Sequence, residues 1–310
     1  MTGPGRAHRK GLTFMDIMRE FPDETSATKW FESNFWPDGR KCPHCNGTHT
    51  YETKGNSMPY RCRPCNKRFS VRTGTLLQSS RLPLLKWVWA IYLELTALKG
   101  ISSMKLHRDL GVTQRTAWFM LQRIRTAFAP VLAAAFEGPV EADETYIGGK
   151  EGNKHEHLKL KAGRGTVGKT VVAGLKDRKT GQIRAQVVES TDGATLKQFV
   201  YDNTESGSTV YTDESTSYKG MIGMDHETVT HSVGEWVKGL AHTNGLEGFW
   251  SRFKRAYHGT YHKISKKHLN LYIDEFLGKH NIRNLDTMSQ MQHVVACMVG
   301  KRLKYKDLIS

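Results

Sequence analysis

Cysteine is scarce in this 310-residue chain: five occur, four of them in two close pairs, Cys42 with Cys45 and Cys62 with Cys65, and Cys297 alone. That is not the economy of a disulfide-stapled secreted protein, and it points to a reducing, cytoplasmic setting. Long apolar runs are missing too. The longest stretches, around residues 82–98 and 131–136, are too short or too interrupted to span a bilayer. The basic residues up to Gly11 lead into no uninterrupted apolar segment, so they read as a mobile tail and not as a secretion signal. Acidic residues are outnumbered, 30 Asp and Glu against 46 Lys and Arg, for a formal charge of +16. Such an excess favours a polyanionic partner, either nucleic acid or an anionic membrane surface.

What is present divides the chain into modules. Residues 1–38 hold the tail and an amphipathic segment with Phe14, Ile17, Phe21, Trp30, Phe31 and Phe35 as apolar anchors. Pro22 breaks the pattern, which predicts two short helices packed against the module that follows. Residues 39–75 contain Cys42-Pro-His-Cys45 and Cys62-Arg-Pro-Cys65, sixteen residues apart, with Gly47, Gly55, Asn56 and Pro59 suited to turns between short strands. Two such knuckles can present four thiolates at the corners of a tetrahedron, the geometry of structural zinc. With four sulfurs filling the shell, no coordination position is left for catalysis.

Residues 80–130 change to a helical period. Leu84, Trp87, Val88, Ile91, Tyr92 and Leu95 mark one helix ended by Gly100; residues 101–110 mark a second; Gly111 makes a turn. Thr113 suits the N-cap of a third helix carrying Ala117, Met120, Leu121, Ile124 and Phe128. A glycine turn before the last of three helices is similar to a helix-turn-helix DNA-binding module. Gln114 and Arg115 then open the reading helix, with Arg123 and Arg125 further along.

Strands follow, at residues 140–147, a hairpin of 170–175 and 183–188, then 208–212 and a short one at 228–231. Helices are expected at 194–201, 244–257 and 266–277, with a further tail or helix over 286–310. This order matches an α/β, RNase H-like mixed-sheet core over 138–285. A loop rich in glycine and lysine, 148–169, interrupts it and includes Lys150 and Arg164. Gly163-Arg-Gly-Thr-Val-Gly-Lys-Thr satisfies a phosphate-loop pattern literally, but a strand and not a helix is expected after it, so a basic loop touching DNA fits better.

Isolated carboxylates in so basic a protein need a reason. Asp143 and Asp213 fall in or at the end of expected strands that one sheet can bring together, and two divalent cations would offset their repulsion. Asn244, Glu247, Ser251 and Lys254 recur at intervals of three, four and three, on one helical face, while Leu246, Trp250, Phe253 and Tyr257 occupy another. Lys254, Arg255, Lys266 and Lys267, with Arg252 and Lys263, form a stretch of cations suited to phosphates.

These motifs together resemble the ISXO2-like insertion-sequence transposases of the IS1595 group. The resemblance runs through the cysteine ribbon, Val140-Glu-Ala-Asp-Glu-Thr-Tyr-Ile-Gly-Gly, Tyr211-Thr-Asp-Glu, His242-Thr-Asn-Gly-Leu-Glu-Gly-Phe-Trp-Ser-Arg-Phe-Lys-Arg and Tyr261-His-Lys-Ile-Ser-Lys-Lys-His-Leu. It implies an RNase H-like domain that cuts and joins DNA at transposon ends using two Mg²⁺ or Mn²⁺ ions. It also implies a nucleoid-associated protein whose partners are terminal-repeat and target DNA, acting as a homodimer or larger synaptic assembly without a membrane. Asp143 and Asp213 are the implied catalytic aspartates. The third member is Asn244 by the family pattern and Glu247 by charge, with Lys254 beyond it. A zinc-containing DNA-binding regulator with an inactive RNase H-like domain shares the first modules, and a structure-selective nuclease shares the metal chemistry.

Overall fold

Thr13 accepts a hydrogen bond from the Asp16 backbone and Asp23 one from the Ser26 backbone, so each of the first two helices begins at its own capping box. Helix α1 spans Phe14–Glu20 and α2 Glu24–Phe35, separated at Pro22 as expected. The computed structural model describes residues 10–54, 58–129, 134–149, 155–159, 166, 168–213, 216–228 and 243–310. Lys150, Arg164, most of the 148–169 loop with its phosphate-loop-like pattern, and residues 1–9 lie outside them. So do Gly55, Asn56, Glu214, His242 and the 229–231 end of the last expected strand. The chain folds as two units, Met1–Ala129 with Ile282–Ser310, and Pro130–Asn281.

In the first unit a small antiparallel sheet, β1 (Thr50–Glu52), β2 (Tyr60–Cys62) and β3 (Arg68–Phe69), carries the cysteine knuckles. Three helices follow: α3 (Leu84–Thr96), α4 (Ser103–Leu110) and α5 (Gln114–Phe128). Gly111 takes a left-handed conformation (φ 58°) to end α4, and the Thr113 hydroxyl accepts from the Thr116 N–H at 3.2 Å to start α5. The first two helices do not chiefly cover the cysteine module. Ile17, Phe21, Ala27, Phe31 and Phe35 are buried in one core with Trp87, Ile91, Leu106, Leu121 and Ile124. The link to the ribbon is Trp36, edge-on to Tyr60 and Phe69 at 5.6 and 6.0 Å, together with a Tyr60–Glu32 hydrogen bond.

Two arginines of α5 are also placed differently from the reading-helix expectation. Arg125 is 1% exposed and pairs at 3.9 Å with Glu94 of α3, itself fully buried. Arg123 donates to the Gln78 carbonyl at 3.1 Å and lies over the Phe119 ring. Both are tied into the helical core, because α5 has buried neighbours around most of its circumference.

In the second unit β4 (Val140–Ile147), β5 (Thr170–Asp177) and β6 (Ile183–Val188) form an antiparallel meander. After α6 (Gly193–Asn203), capped by Asp192, come β7 (Thr209–Thr212) and β8 (Asp225–Thr228), both parallel to β4. The sheet order is β6-β5-β4-β7-β8, so β4 is central. The fifth strand begins three residues earlier than the pattern suggested. Helices α7 (Asn244–Ala256) and α8 (Leu269–Asn281) bury Leu246, Phe249, Phe253, Ile273 and Phe276 against one face with Val172 and Ile183, while α6 covers the other with Leu196 and Val200.

The chain then returns to the first unit. Helix α9 (Thr287–Ala296) adds Met291, Val294 and Val295 to its core, and α10 (Tyr305–Ile309) closes the sequence. Among the described residues no helix is long and apolar enough to cross a membrane.

Candidate functional site

Strand β4 alternates between the two faces of its sheet. Val140 and Ala142 face α6, whereas Glu141, Asp143, Thr145 and Ile147 face α7 and α8. Opposite Asp143 on β5 is Gly174. On the other side Val140 pairs with Val210 and Glu141 with Tyr211; continuing that register by two residues sets Asp213, just past β7, level with Asp143.

Glu141 fixes the helix that lies over this face. It is fully buried, accepts the Leu246 N–H at 3.1 Å in the first turn of α7, and accepts from Arg178 Nε at 3.1 Å, with Lys176 Nζ 3.9 Å away. Arg178 in turn lies 4.0 Å over the Tyr211 ring. The absence of a side chain at residue 245 leaves room for this arrangement: a Cβ there would crowd the ends of the Lys176 and Glu141 side chains and push them aside. Farther along, Trp250 packs directly over Gly174, where a Cβ would meet its ring at 2.5 Å. Two glycines therefore leave room for α7 where it seats beside Asp143. Glu141→Ala leaves Arg178 and Lys176 without their buried counter-charge, and the expected loss is about 3 kcal/mol. Urea denaturation checks this; a change below about 0.5 kcal/mol, typical of a surface site, would remove Glu141 as the anchor.

Beside Asp143 an open cleft of about 680 Å³ runs along α7, past Glu247, Ser251, Lys254, Arg255 and His258. The expected polar face of α7 is exposed and its apolar face buried. Glu247 lines the cleft and accepts from the Thr243 hydroxyl at 3.3 Å; Asn244, one turn earlier, is exposed but outside the cleft lining. Burial, then the charges of Glu144 and Asp213, and lastly that of Glu247, push the Asp143 carboxyl up to about 7. Glu144 is raised as well, first by burial and then by Asp213, and its carboxylate accepts the Tyr218 hydroxyl at 3.0 Å. Asp143, in the middle of β4, thus feels the charges of Glu144 beside it, Asp213 just past β7 and Glu247 in the first turn of α7.

The cysteine knuckles are near copies. Cys42-x2-Cys45 and Cys62-x2-Cys65 are each followed by an asparagine in the left-handed region, Asn46 (φ 56°) and Asn66 (φ 57°), which turns the chain so that both cysteines of a pair face inward. Sγ atoms of Cys42 and Cys65 are 3.6 Å apart, those of Cys45 and Cys62 3.5 Å, and all four lie within 4.8 Å of one another. Disulfides would be far shorter. Corners of a tetrahedron with Zn–S bonds of about 2.3 Å are about 3.8 Å apart, so the spacing fits a structural zinc shell. The Lys67 backbone N–H, helped by the neighbouring thiols and opposed by burial, brings Cys65 down to about 7, whereas Cys62 is pushed up to about 12 and burial raises Cys42, so a bound cation would be needed to hold all four as thiolates. Among the described residues this is the one group of three or more His, Cys, Asp or Glu side chains drawn close enough to hold a single ion; the carboxylates interact through space without closing into such a group.

The other expected site residues are dispersed. Gln114 is exposed and bonded to Ser103 at 2.8 Å, and Arg115 is exposed over the Tyr305 ring. Lys254 and Arg255 line the cleft, and Lys266 and Lys267 are exposed on the turn before α8. Sequence reasoning did not single out Glu141, Gly174, Gly245, Tyr218 or His258. The signal for Glu141 was there to read: an acidic residue inside an apolar strand, two positions from Asp143 and hence on its face.

Comparison with known proteins agrees with this layout. Residues 135–281 match the ISXO2-like transposase domain, and residues 22–68 match the transposase zinc-ribbon domain. An uncharacterized protein in transposable element ISH50 of Halobacterium salinarum is 28% identical over 273 residues, covering 84% of this chain and 91% of that protein. The chain therefore has the domain architecture of the ISXO2-like transposases of the IS1595 group, a zinc-ribbon domain followed by a transposase domain.

Proposed function

We propose that the chain is a DDE-type DNA transposase that binds the terminal inverted repeats of a mobile element and carries out metal-dependent phosphodiester cleavage and strand transfer. The observation that carries this reading is that Asp143 and Glu247 line one cleft whose far side is cationic, with the charge of Asp213 also bearing on Asp143, in a protein of formal charge +16. Burial first, and then the repulsion of neighbouring carboxylates, raise Asp143, and both are costs that bound cations would offset at an oxygen-donor site. Asp143 and Asp213 are assigned as the ligands of two Mg²⁺ or Mn²⁺ ions. When bound, such ions activate a water or 3′-hydroxyl and offset charge on the leaving oxygen. Lys254 and Arg255 hold the DNA phosphates along α7, and the mixed sheet serves as an RNase H-like scaffold. The ribbon and the helix-turn-helix formed by α4 and α5 recognise the ends, with Gln114 and Arg115 at base edges and Lys266 and Lys267 at phosphates. Two ends must be joined together, which calls for a homodimer or larger synaptic assembly.

Glu247 is the preferred third ligand over Asn244, because it lines the cleft and its charge bears on Asp143. Glu247→Gln is expected to lower Mg²⁺-dependent joining more than about a hundredfold, by analogy with removing one transition-state contact, while Asn244→Ala retains most activity. The reverse ranking would move the assignment to Asn244. The reading as a whole is tested with zinc-loaded protein, terminal-repeat DNA, supercoiled target and Mg²⁺. Joined products that vanish in Asp213→Ala, at unchanged DNA affinity, support it. End binding without cleavage, unaffected by that substitution, would make the chain a DNA-binding regulator instead.

A further inference from the structure

We propose that residues 301–306, at the carboxy-terminal end of the chain, and the exposed side of α5 together form one surface for the backbone of duplex DNA. The partner rests on the transposase reading; the surface rests on its own geometry. Lys301 Nζ donates to the carbonyls of Thr126, Ala127 and Ala129 at 3.2, 3.2 and 3.0 Å, satisfying the last turn of α5. Four residues later the Tyr305 ring meets Trp118 and Phe119 edge-on at 6.2 and 5.5 Å, and the Arg115 guanidinium lies 5.9 Å over the same ring. The segment is thus pinned at the end of α5 and again near its start, and it runs back along the helix.

Between and beyond these pins Arg302, Lys304 and Lys306 are exposed, alongside exposed Arg115. Asp307 is the one acidic residue in positions 297–310. Arg302 lies close enough to Arg123 for its charge to add to burial in holding that guanidinium down to about 10. Cations set side by side on a braced, aromatic-backed segment repel one another, and phosphates would relieve that repulsion. Tyr305 also occupies the α5 surface at Trp118 and Phe119, so base reading by this helix is confined to its first turn, at Gln114 and Arg115.

The test is fluorescence anisotropy on a random-sequence duplex and a terminal-repeat duplex over a salt series, with no joining step. The combined variant Arg302→Ala, Lys304→Ala and Lys306→Ala should flatten the log–log salt slope by close to three, about 0.9 for each phosphate left without its cation. The ratio of terminal-repeat to random affinity should stay within about twofold, as expected when only the DNA backbone is touched. An unchanged slope would overturn the proposal, and so would loss of the ratio at constant slope, or loss of binding to phosphatidylserine vesicles alone. Tyr305→Ala, its fold verified by circular dichroism and zinc content, unpins the segment and should flatten the slope in the same direction. Tighter DNA binding by that variant would instead make the segment a cover over α5 and overturn the proposal. Joining is not read, so either outcome leaves the transposase reading to its own assay.

Discussion

Replacing Asp143 with asparagine is expected to abolish strand joining, by more than about a thousandfold if the residue holds a catalytic cation, and yet to stabilise the metal-free protein at neutral pH. The folded-state pKa of about 7 stands well above the value of about 3.9 for an unfolded aspartate. Between about pH 4 and pH 7 the folded protein therefore binds more proton than the unfolded chain, and its stability falls as pH rises through that window. Above that window the full cost is reached, on the order of 4 kcal/mol for a shift of this size. Divalent cations favour the ionised carboxylates and should restore stability at neutral pH. In Asp143→Asn both the decline and the cation rescue should be largely lost. Chemical denaturation at about pH 5 and about pH 7.5, on either side of the folded-state midpoint, with and without Mn²⁺, measures this. Equal pH profiles for the two proteins would show that Asp143 carries no such cost.

The second large effect concerns the ribbon. Its own apolar core consists of Tyr60 and Phe69 with Cys42 and Cys62, against which Trp36 packs, too little to hold a module of two- and three-residue strands. Zinc held by the four cysteines is expected to supply that folding energy, on the order of 10 kcal/mol in isolated zinc modules. Cys62→Ser, or removal of zinc by a chelator, should unfold residues 40–70 and cost terminal-repeat recognition at least about a hundredfold in affinity, a step toward the gap that separates specific from non-specific binding. The helical core, built from α1 to α5 and α9, should persist. Amide hydrogen exchange resolves the two regions. Protected ribbon amides in protein without zinc would contradict the assignment.

Much of the layout was legible because its causes are local. Pro22 with the capping residues Thr13 and Asp23 separates α1 from α2, Gly111 and Thr113 set the α4–α5 turn, and the paired knuckles announce a four-sulfur shell. Amphipathic spacing placed Glu247 and Lys254 on the exposed face of α7 and Trp250 and Phe253 on the buried one. What escaped depends on distant partners. Arg123 and Arg125 look like solvent-facing cations until Gln78 and Glu94 are brought to them. Glu141 looks like one more strand-end charge until α7 arrives from 105 residues away to be held by it. Gly174 and Gly245 carry no local turn signal, since their role is to admit Trp250 and Lys176. Residues 286–310 read as a tail or helix, and their place in the first unit follows from Met291, Val294 and Val295 filling a core begun by Ile17 at the other end of the chain.

The most direct measurement of the central claim is the location of Mn²⁺ by anomalous scattering in crystals of the zinc-loaded protein. Manganese is expected between Asp143 and Asp213, with Glu247 nearer to it than Asn244, and that peak should vanish in Asp213→Ala. Crystals saturated with Mn²⁺ that show no ion at Asp143, in a protein that still joins DNA ends, would contradict the metal-dependent assignment.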